Sequence, residues 1–163
     1  MKKYPIKIYS HDYDNVIKLN VYCTDKCNYK CSYCYNMKSR YARLNIDLDL
    51  TKVYNFACWL NEKTGKNIII LLIGGEPTMH PNFIEFSRMT NEKNFIVYSF
   101  SNFSNTFQFY EETIKNNIKF LITYHHTTKE RYLEFLTKLR LLNEKNLDYG
   151  IDTINVMLLG NTF

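Results

Sequence analysis

The sequence predicts an α/β fold, a partial, incomplete (βα) barrel of parallel strands with about five βα units. Three observations predict this fold. Short apolar runs and helical periodicities alternate along the whole chain. Right-handed connections between parallel strands should curl these units in sequence toward a barrel. The length of 163 residues, without a linker, a low-complexity tract or a longer repeat, is typical of a single domain over 1–163.

The first strand and the first helix are predicted on either side of a cysteine-rich segment. The stretch IKLNVY at 17–22 is a short apolar run of the kind that forms a strand. Residues 47–65 are predicted to form a helix, because apolar side chains recur at helical spacing and Gly65 provides a stop. The apolar positions in this helix are Val53, Phe56, Ala57 and Leu60.

The second unit is predicted from the longest apolar run in the chain. Residues 67–73 are continuously apolar after Asn67 and end at Gly74 and Gly75, a pattern typical of a strand buried on both faces. Residues 81–93 should form the second helix, because Pro81 is favourable in a first helical turn.

Three strands and two helices account for the rest of the chain. The most regular helical pattern has leucines at positions 133, 136, 139 and 142, which predicts a helix with one apolar face. The remaining runs alternate between strand and helix in the same order as before. The predicted strands are 95–100, 118–124 and 150–159, and the predicted helices are 106–117 and 129–146.

Composition narrows the classes of function. The net charge of +5 is spread along the chain without a basic run, so it does not favour a nucleic-acid partner. The apolar run at 68–73 is far shorter than the roughly 18 residues of a membrane span, and the N-terminus has no apolar signal core. We therefore expect a cytoplasmic protein with no membrane contact. In such a compartment, clustered cysteines indicate metal binding or catalysis rather than disulfides.

Three cysteines follow the first predicted strand at the spacing C-x3-C-x2-C. They are Cys27, Cys31 and Cys34, and a fourth ligand would have to come from Cys23, from Cys58 or from one of four histidines. Cys23 ends the strand and Cys58 lies on an apolar helix face, so we interpret both as packing residues. Spacing alone leaves a zinc site and an iron–sulfur cluster equally open.

A second motif follows the second predicted strand, where Gly74 and Gly75 precede Glu76 and Pro77. Adjacent glycines let a backbone approach a ligand closely, and a carboxylate accepts hydrogen bonds from an ammonium group. Working loops of α/β sheets lie at the carboxyl ends of the strands. The cysteine and glycine motifs should therefore meet at one edge of the sheet and form one site.

Together, C-x3-C-x-aromatic-C after the first strand and G-G-E-P after the second resemble the radical S-adenosylmethionine (radical SAM) enzymes. The resemblance implies that the three cysteines bind three irons of a [4Fe–4S] cluster, while S-adenosylmethionine occupies the fourth iron. It implies that Tyr33 packs near the adenine, and that the segment from Gly74 to Glu76 receives the methionyl ammonium. One electron would then cleave S-adenosylmethionine and yield a 5′-deoxyadenosyl radical that abstracts hydrogen from a substrate.

Two further segments, after the third and fourth predicted strands, resemble family segments more weakly. The segment FSNF at 100–103 resembles a polar family segment, which implies that Ser101 and Asn102 face the cofactor. The segment after the fourth strand stands where many members contact the ribose or the methionyl carboxylate. This position nominates Thr123 and His125.

The chain also departs from the family pattern. The usual core has six βα units, whereas five strands are predicted here, and no cysteine follows Cys58 to bind auxiliary clusters. The chain is then a natural minimal enzyme, a C-terminally truncated fragment, or one whose barrel is completed by a dimer or a partner chain.

The style of the cysteine motif is most similar to peptide- and sulfatase-maturase-like members, which implies a peptide or protein substrate. A small-molecule substrate, activation of a glycyl-radical enzyme, and modification of a nucleotide or tRNA remain alternatives. Activases usually have Asp at the position of Glu76. A zinc or iron–sulfur module without catalysis is the non-enzyme alternative. The family also implies an electron donor such as flavodoxin or ferredoxin.

Overall fold

The computed structural model describes residues 15–34, 46–125 and 129–157. Five strands in this part of the chain form one parallel sheet in which every strand pairs with its neighbours in chain order. This arrangement confirms the predicted α/β class and the partial (βα) barrel. The strands are β1 (Val16–Thr24), β2 (Asn67–Gly74), β3 (Ile96–Ser101), β4 (Ile118–His125) and β5 (Ile151–Met157). Residues 158–159 of the predicted fifth strand lie outside the described ranges.

Helices connect the strands. The four described helices are α1 (Leu50–Thr64), α2 (Phe83–Glu92), α3 (Phe107–Lys115) and α4 (Lys129–Glu144). Short 3-10 turns precede α2, at Pro77–Met79, and β5, at Asp148–Gly150. None of the described helices is long and apolar enough to cross a membrane.

Two helices start later than the sequence predicted. The prediction began the first helix at residue 47, but residues 46–48 return to β1, where the Leu48 N–H donates to the Cys23 carbonyl over 2.8 Å. Helix α1 therefore begins at Leu50, with the side chain of Asp49 capping its N–H groups. The second helix was predicted from residue 81, but the imidazole of His80 accepts the Asn82 N–H, and α2 begins only at Phe83.

The core lies between the helices and one face of the sheet. Large side chains of this core are fully buried, among them Leu19, Ile70, Phe83, Tyr110 and Phe120. The sequence predicted that β2 is buried on both faces, but its residues alternate between buried and half-buried. The difference arises because the described residues leave the other face of the sheet uncovered, and on it Tyr22, Ile96 and Phe100 are about 40% exposed.

The predicted apolar face of α4 is only partly correct. Leu142 is buried and Leu139 packs against the core, but Leu133 is 52% exposed and Leu136 is 41% exposed. The reason is geometric. Each step of three residues falls about 60° short of a full helical turn, so the first and last of these leucines lie on opposite sides of the helix. Phe135 and Lys138 are the residues that face inward in their place.

Gly150 provides a test of this packing, because its missing side chain leaves room for Ile114 of α3. A Cβ atom at Gly150 would lie 2.5 Å from two side-chain carbons of Ile114. We expect Gly150→Ala to lower the free energy of unfolding by about 1–3 kcal/mol through overpacking. Urea unfolding of Gly150→Ala, Ile114→Ala and the double variant checks this. The double variant should be more stable than the sum of the single effects, and strict additivity would contradict the clash.

Candidate functional site

The cysteine-rich loop is closed at its base by an antiparallel contact. Thr24 at the end of β1 bridges to Asp47, and the Asp25 N–H donates to the Ile46 carbonyl. The carboxylate of Asp47 accepts hydrogen bonds from the Thr24 hydroxyl, over 2.7 Å, and from the ammonium of Lys26. The two ends of the loop are thereby fixed beside the carboxyl end of the sheet.

The diglycine turn after β2 packs directly against the start of this loop. The Gly75 N–H donates to the Thr24 carbonyl over 2.8 Å, and the Glu76 N–H donates to the Lys26 carbonyl over 2.7 Å. A Cβ atom at Gly74 would lie 2.1 Å from the Thr24 carbonyl oxygen, and one at Gly75 would lie 2.2 Å from the Lys26 oxygen. The glycines thus permit close approach to the chain's own backbone, while the predicted approach to a ligand stays a prediction.

Glu76 joins this turn to the loop after β3. Its side chain is 2% exposed, and one carboxylate oxygen accepts from both the N–H and the hydroxyl of Thr78. The other oxygen accepts from the Asn102 N–H over 2.6 Å. Burial raises the pKa of Glu76 above its ordinary value, against the opposing effect of these hydrogen bonds. The carboxylate is therefore an internal hydrogen-bond acceptor that links two loops.

The loop after β3 is in turn bonded to the cysteine loop. The Asn102 side-chain amide donates to the side-chain oxygen of Asn28 over 2.9 Å, and the side-chain amide of Asn28 donates to the Ser104 hydroxyl over 2.8 Å. The Ser101 hydroxyl lies 3.0 Å from the phenol oxygen of Tyr110. Sequence reasoning nominated Ser101 and Asn102 but missed Asn28, whose signal was its place between Cys27 and Cys31.

His125 at the end of β4 is the centre of an aromatic group on the opposite side of the site. Its Nδ1 atom is 2.6 Å from the Tyr33 hydroxyl and 3.8 Å from the Cys31 sulfur. The Tyr29 ring, which the sequence did not nominate, contacts His125 edge-on with 5.6 Å between ring centroids. Burial lowers the pKa of His125, and burial together with the Cys31 thiol raises the pKa of Tyr33 to about 12.

These loops enclose one cleft of about 170 Å³ at the carboxyl edge of the sheet. All the residues that the sequence nominated border it, Thr123 included, with the exception of Pro77, which is buried in the 3-10 turn. Asp25, Tyr29 and Phe100 complete the border. The structure thus brings together residues from four strand ends.

The three cysteines of the motif are free thiols, with Cys27 exposed and the other two half-buried. Although Cys27 is exposed, the atoms around its sulfur partly desolvate it, and this raises the pKa of the thiol. Within the described ranges, no three Cys, His, Asp or Glu side chains form a group that could hold one metal ion. Three thiols that border a shared cleft are chemically suited to a cluster, because each iron takes its own thiolate.

The other two cysteines lie apart from the cleft. Cys23 is fully buried, and its sulfur is 3.5 Å from the Ile73 carbonyl oxygen. Burial raises the pKa of this thiol to about 12. Cys58 is half-buried on α1 and packs against the core.

Three comparisons with known proteins give the chain a context. The model of the Radical SAM superfamily matches residues 21–160. No curated protein matches the chain. Among solved structures, SuiB of Streptococcus suis bound to S-adenosylmethionine is 13% identical with a TM-score of 0.47, covering 90% of this chain and 43% of SuiB.

Two further structures of SuiB give similar values. The complex of SuiB with its precursor peptide SuiA is 13% identical with a TM-score of 0.45, covering 85% of this chain and 38% of that one. A third SuiB structure is 14% identical with a TM-score of 0.46, and the match covers 92% of this chain and 43% of the SuiB chain. The chain therefore spans less than half the length of the SuiB chains it matches.

The close approach of Gly75 to the cysteine loop generates the next prediction. We expect Gly75→Ala to displace the loop, to lower the free energy of unfolding by about 1–3 kcal/mol and to speed alkylation of the half-buried Cys31. The matched control is Gly65→Ala. A Cβ atom at Gly65 would have no atom within 4 Å, but the residue has φ of +67°, so this variant should lower the free energy of unfolding by about 1–2 kcal/mol. Equal alkylation rates in both variants would contradict the proposed contact.

The buried carboxyl of Glu76 generates a prediction about pH. Its pKa in the folded protein lies above the ordinary value of 4.5, so the folded chain keeps a proton that the unfolded chain loses. The free energy of unfolding should then fall as the pH rises from 4.5 through the folded-state pKa, and level off above it. Glu76→Gln cannot titrate at this position. Urea unfolding of both proteins across this window should show the wild type losing stability relative to the variant, and an opposite slope would refute the raised pKa.

Proposed function

Because the chain belongs to the radical SAM superfamily, we propose that it is an enzyme that uses a [4Fe–4S] cluster and S-adenosylmethionine to start radical chemistry. One observation carries the proposal. The three cysteines of the motif border the same cleft as the diglycine turn, at the carboxyl ends of adjacent strands β1 and β2.

The residues divide into two sides of the cleft. Cys27, Cys31 and Cys34 would hold the cluster on the loop after β1. When bound, the reduced cluster and S-adenosylmethionine together supply a 5′-deoxyadenosyl radical, which is chemistry that side chains alone do not provide. Tyr33 and His125 form the wall that would contact the nucleoside.

The roles of the glycine motif in this proposal follow from its hydrogen bonds. The carboxylate of Glu76 already accepts hydrogen bonds from Thr78 and Asn102. The backbone of Gly74 and Gly75, which borders the cleft, is therefore the part that would receive the methionyl group. Glu76 holds that backbone in a fixed position relative to the loop after β3, through its hydrogen bond from the Asn102 N–H.

A peptide or protein segment is the substrate class that we propose. It is supported by the style of the cysteine motif and by the face of the sheet beside the cleft, which the described residues leave uncovered. Phe100 borders the cleft and is 39% exposed, so it offers an apolar contact that suits the side chain of a peptide. Cys27 is exposed, which would let an electron donor such as flavodoxin or ferredoxin approach the cluster from solvent.

Anaerobic reconstitution tests the proposal. The wild-type chain should bind about four irons with matching sulfide and, with dithionite, convert S-adenosylmethionine to 5′-deoxyadenosine. Cys31→Ala should lose both the iron and the cleavage, because one iron loses its thiolate. The matched control is Cys58→Ala, since this cysteine lies on α1 away from the cleft and its removal should leave both readouts intact.

Two outcomes would overturn the proposal. A colourless protein that retains one zinc ion per chain would favour the binding module without radical chemistry. Cleavage that survives in Cys31→Ala would show that the motif does not ligate the cluster.

A further inference from the structure

Lys138 is a buried lysine that the proposed chemistry does not use. It lies on α4, and only 6% of its side chain is exposed. Its ammonium donates to the Phe103 carbonyl over 2.6 Å and to the Asn105 carbonyl over 2.9 Å. A carboxylate oxygen of Glu134, also on α4, lies 2.9 Å from the same nitrogen. Three N–H groups and three acceptors therefore satisfy the charge completely.

A lysine at this position is less favourable for folding than an apolar residue, because its charge must be removed from water. Lysines are almost never fully buried unless they are paired, and this part of α4 faces an aromatic core. The ammonium lies 5.2 Å from the ring centroid of Phe103 and 5.9 Å from that of Tyr110. Methionine or leucine would fill the same space without desolvating a charge. The hydrogen bonds to the loop are the feature that only the ammonium supplies.

The loop that accepts hydrogen bonds from Lys138 contains a residue in an unfavourable backbone conformation. Phe103 has φ of +57°, in the left-handed region that is a true outlier for a bulky residue. Its N–H donates to the Ser101 hydroxyl over 3.0 Å, and its carbonyl is one of the two that accept from Lys138. Bonds on both sides of the residue are needed to keep such a conformation populated.

The same loop carries the contacts to the cysteine loop. The Ser104 N–H donates to the side-chain oxygen of Asn102 over 3.0 Å, and both residues then bond to Asn28. Asn28 is the residue between Cys27 and Tyr29. The Phe103 carbonyl and the Ser104 N–H belong to one peptide unit, so a path of hydrogen bonds through this peptide unit runs from the buried ammonium to the segment that carries the thiols.

We propose that Lys138 is a positioning residue for the cysteine loop, acting through the Phe103 and Asn105 carbonyls and the Asn28–Asn102–Ser104 contacts. The inference rests on the proposed function in one respect, that the cysteines of this loop hold the cluster. The path itself is a property of the chain and exists before any cofactor binds.

Amide hydrogen exchange of the full chain before reconstitution tests the path. Lys138→Met keeps the volume but leaves two carbonyls without a donor, so exchange should become faster in residues 102–106. The informative segment is 26–34, which lies at the other end of the path and is reached through Asn28. There we expect an increase of about fivefold or more, because a charged donor to buried acceptors is lost. The matched control is Lys52→Met, whose side chain is 83% exposed and which should leave both segments unchanged.

A double-mutant cycle separates positioning from general loosening. In an Asn28→Ala background the path is already broken, so Lys138→Met should add little to the exchange rate of residues 26–34. A merely structural lysine would instead change residues 102–106 alone, or would change residues 26–34 equally in both backgrounds, and either result would overturn the proposal.

Ser104→Ala tests the same path if Lys138→Met does not fold. It removes the acceptor of the Asn28 amide and should speed exchange in residues 26–34 without a matching fall in the unfolding midpoint. Unchanged exchange in this variant would refute the path.

Reconstitution of the wild type is scored separately. A wild type that takes up no iron would refute the proposed function and leave the exchange result standing, so the two failures are distinguishable.

Discussion

The site depends on the contact between two backbones, the diglycine turn and the first residues of the cysteine loop. Two hydrogen bonds of 2.7–2.8 Å join them, and the space between them excludes even a methyl group at either glycine. This contact fixes the start of the cysteine loop and the position of Glu76 at the carboxyl edge of the sheet. The three thiols lie further along the cysteine loop. Glu76 directly follows the glycines and binds the loop after β3 through the Asn102 N–H.

A buried carboxyl group and a buried ammonium hold that third loop. The carboxyl group of Glu76 accepts the Asn102 N–H, and the ammonium of Lys138 donates to the carbonyls of Phe103 and Asn105. Each group is bonded to main-chain atoms of the loop and not to the other group. A backbone held at N–H and carbonyl groups has few alternative conformations, which suits a loop that must present Asn102 and Ser104 to a neighbouring segment.

Much of the fold followed from periodicity alone, because short apolar runs between helical patterns leave little choice other than a parallel α/β sheet. The common edge of the cysteine and glycine motifs followed from the same topology. The inward face of α4 did not, since a leucine repeat of three drifts around a helix and Phe135 and Lys138 faced the core instead. The link through Asn28 was also hidden, because its partners are about 75 residues away in the chain and only the folded sheet brings them together.

The fifth strand is unlike the others in what surrounds it. In the described part of the chain both edge strands, β1 and β5, have one neighbour, but six of the seven residues of β5 are exposed, including Ile154 and Val156, whereas four of the nine residues of β1 are buried. A strand with one neighbour and little buried area has a low local free energy of opening, so the sheet should fray from this side first. The cysteine loop and the diglycine turn lie at the opposite side, on β1 and β2. Local unfolding of β5 would therefore leave the strands that carry the thiols folded. The two edges of the sheet differ in local stability.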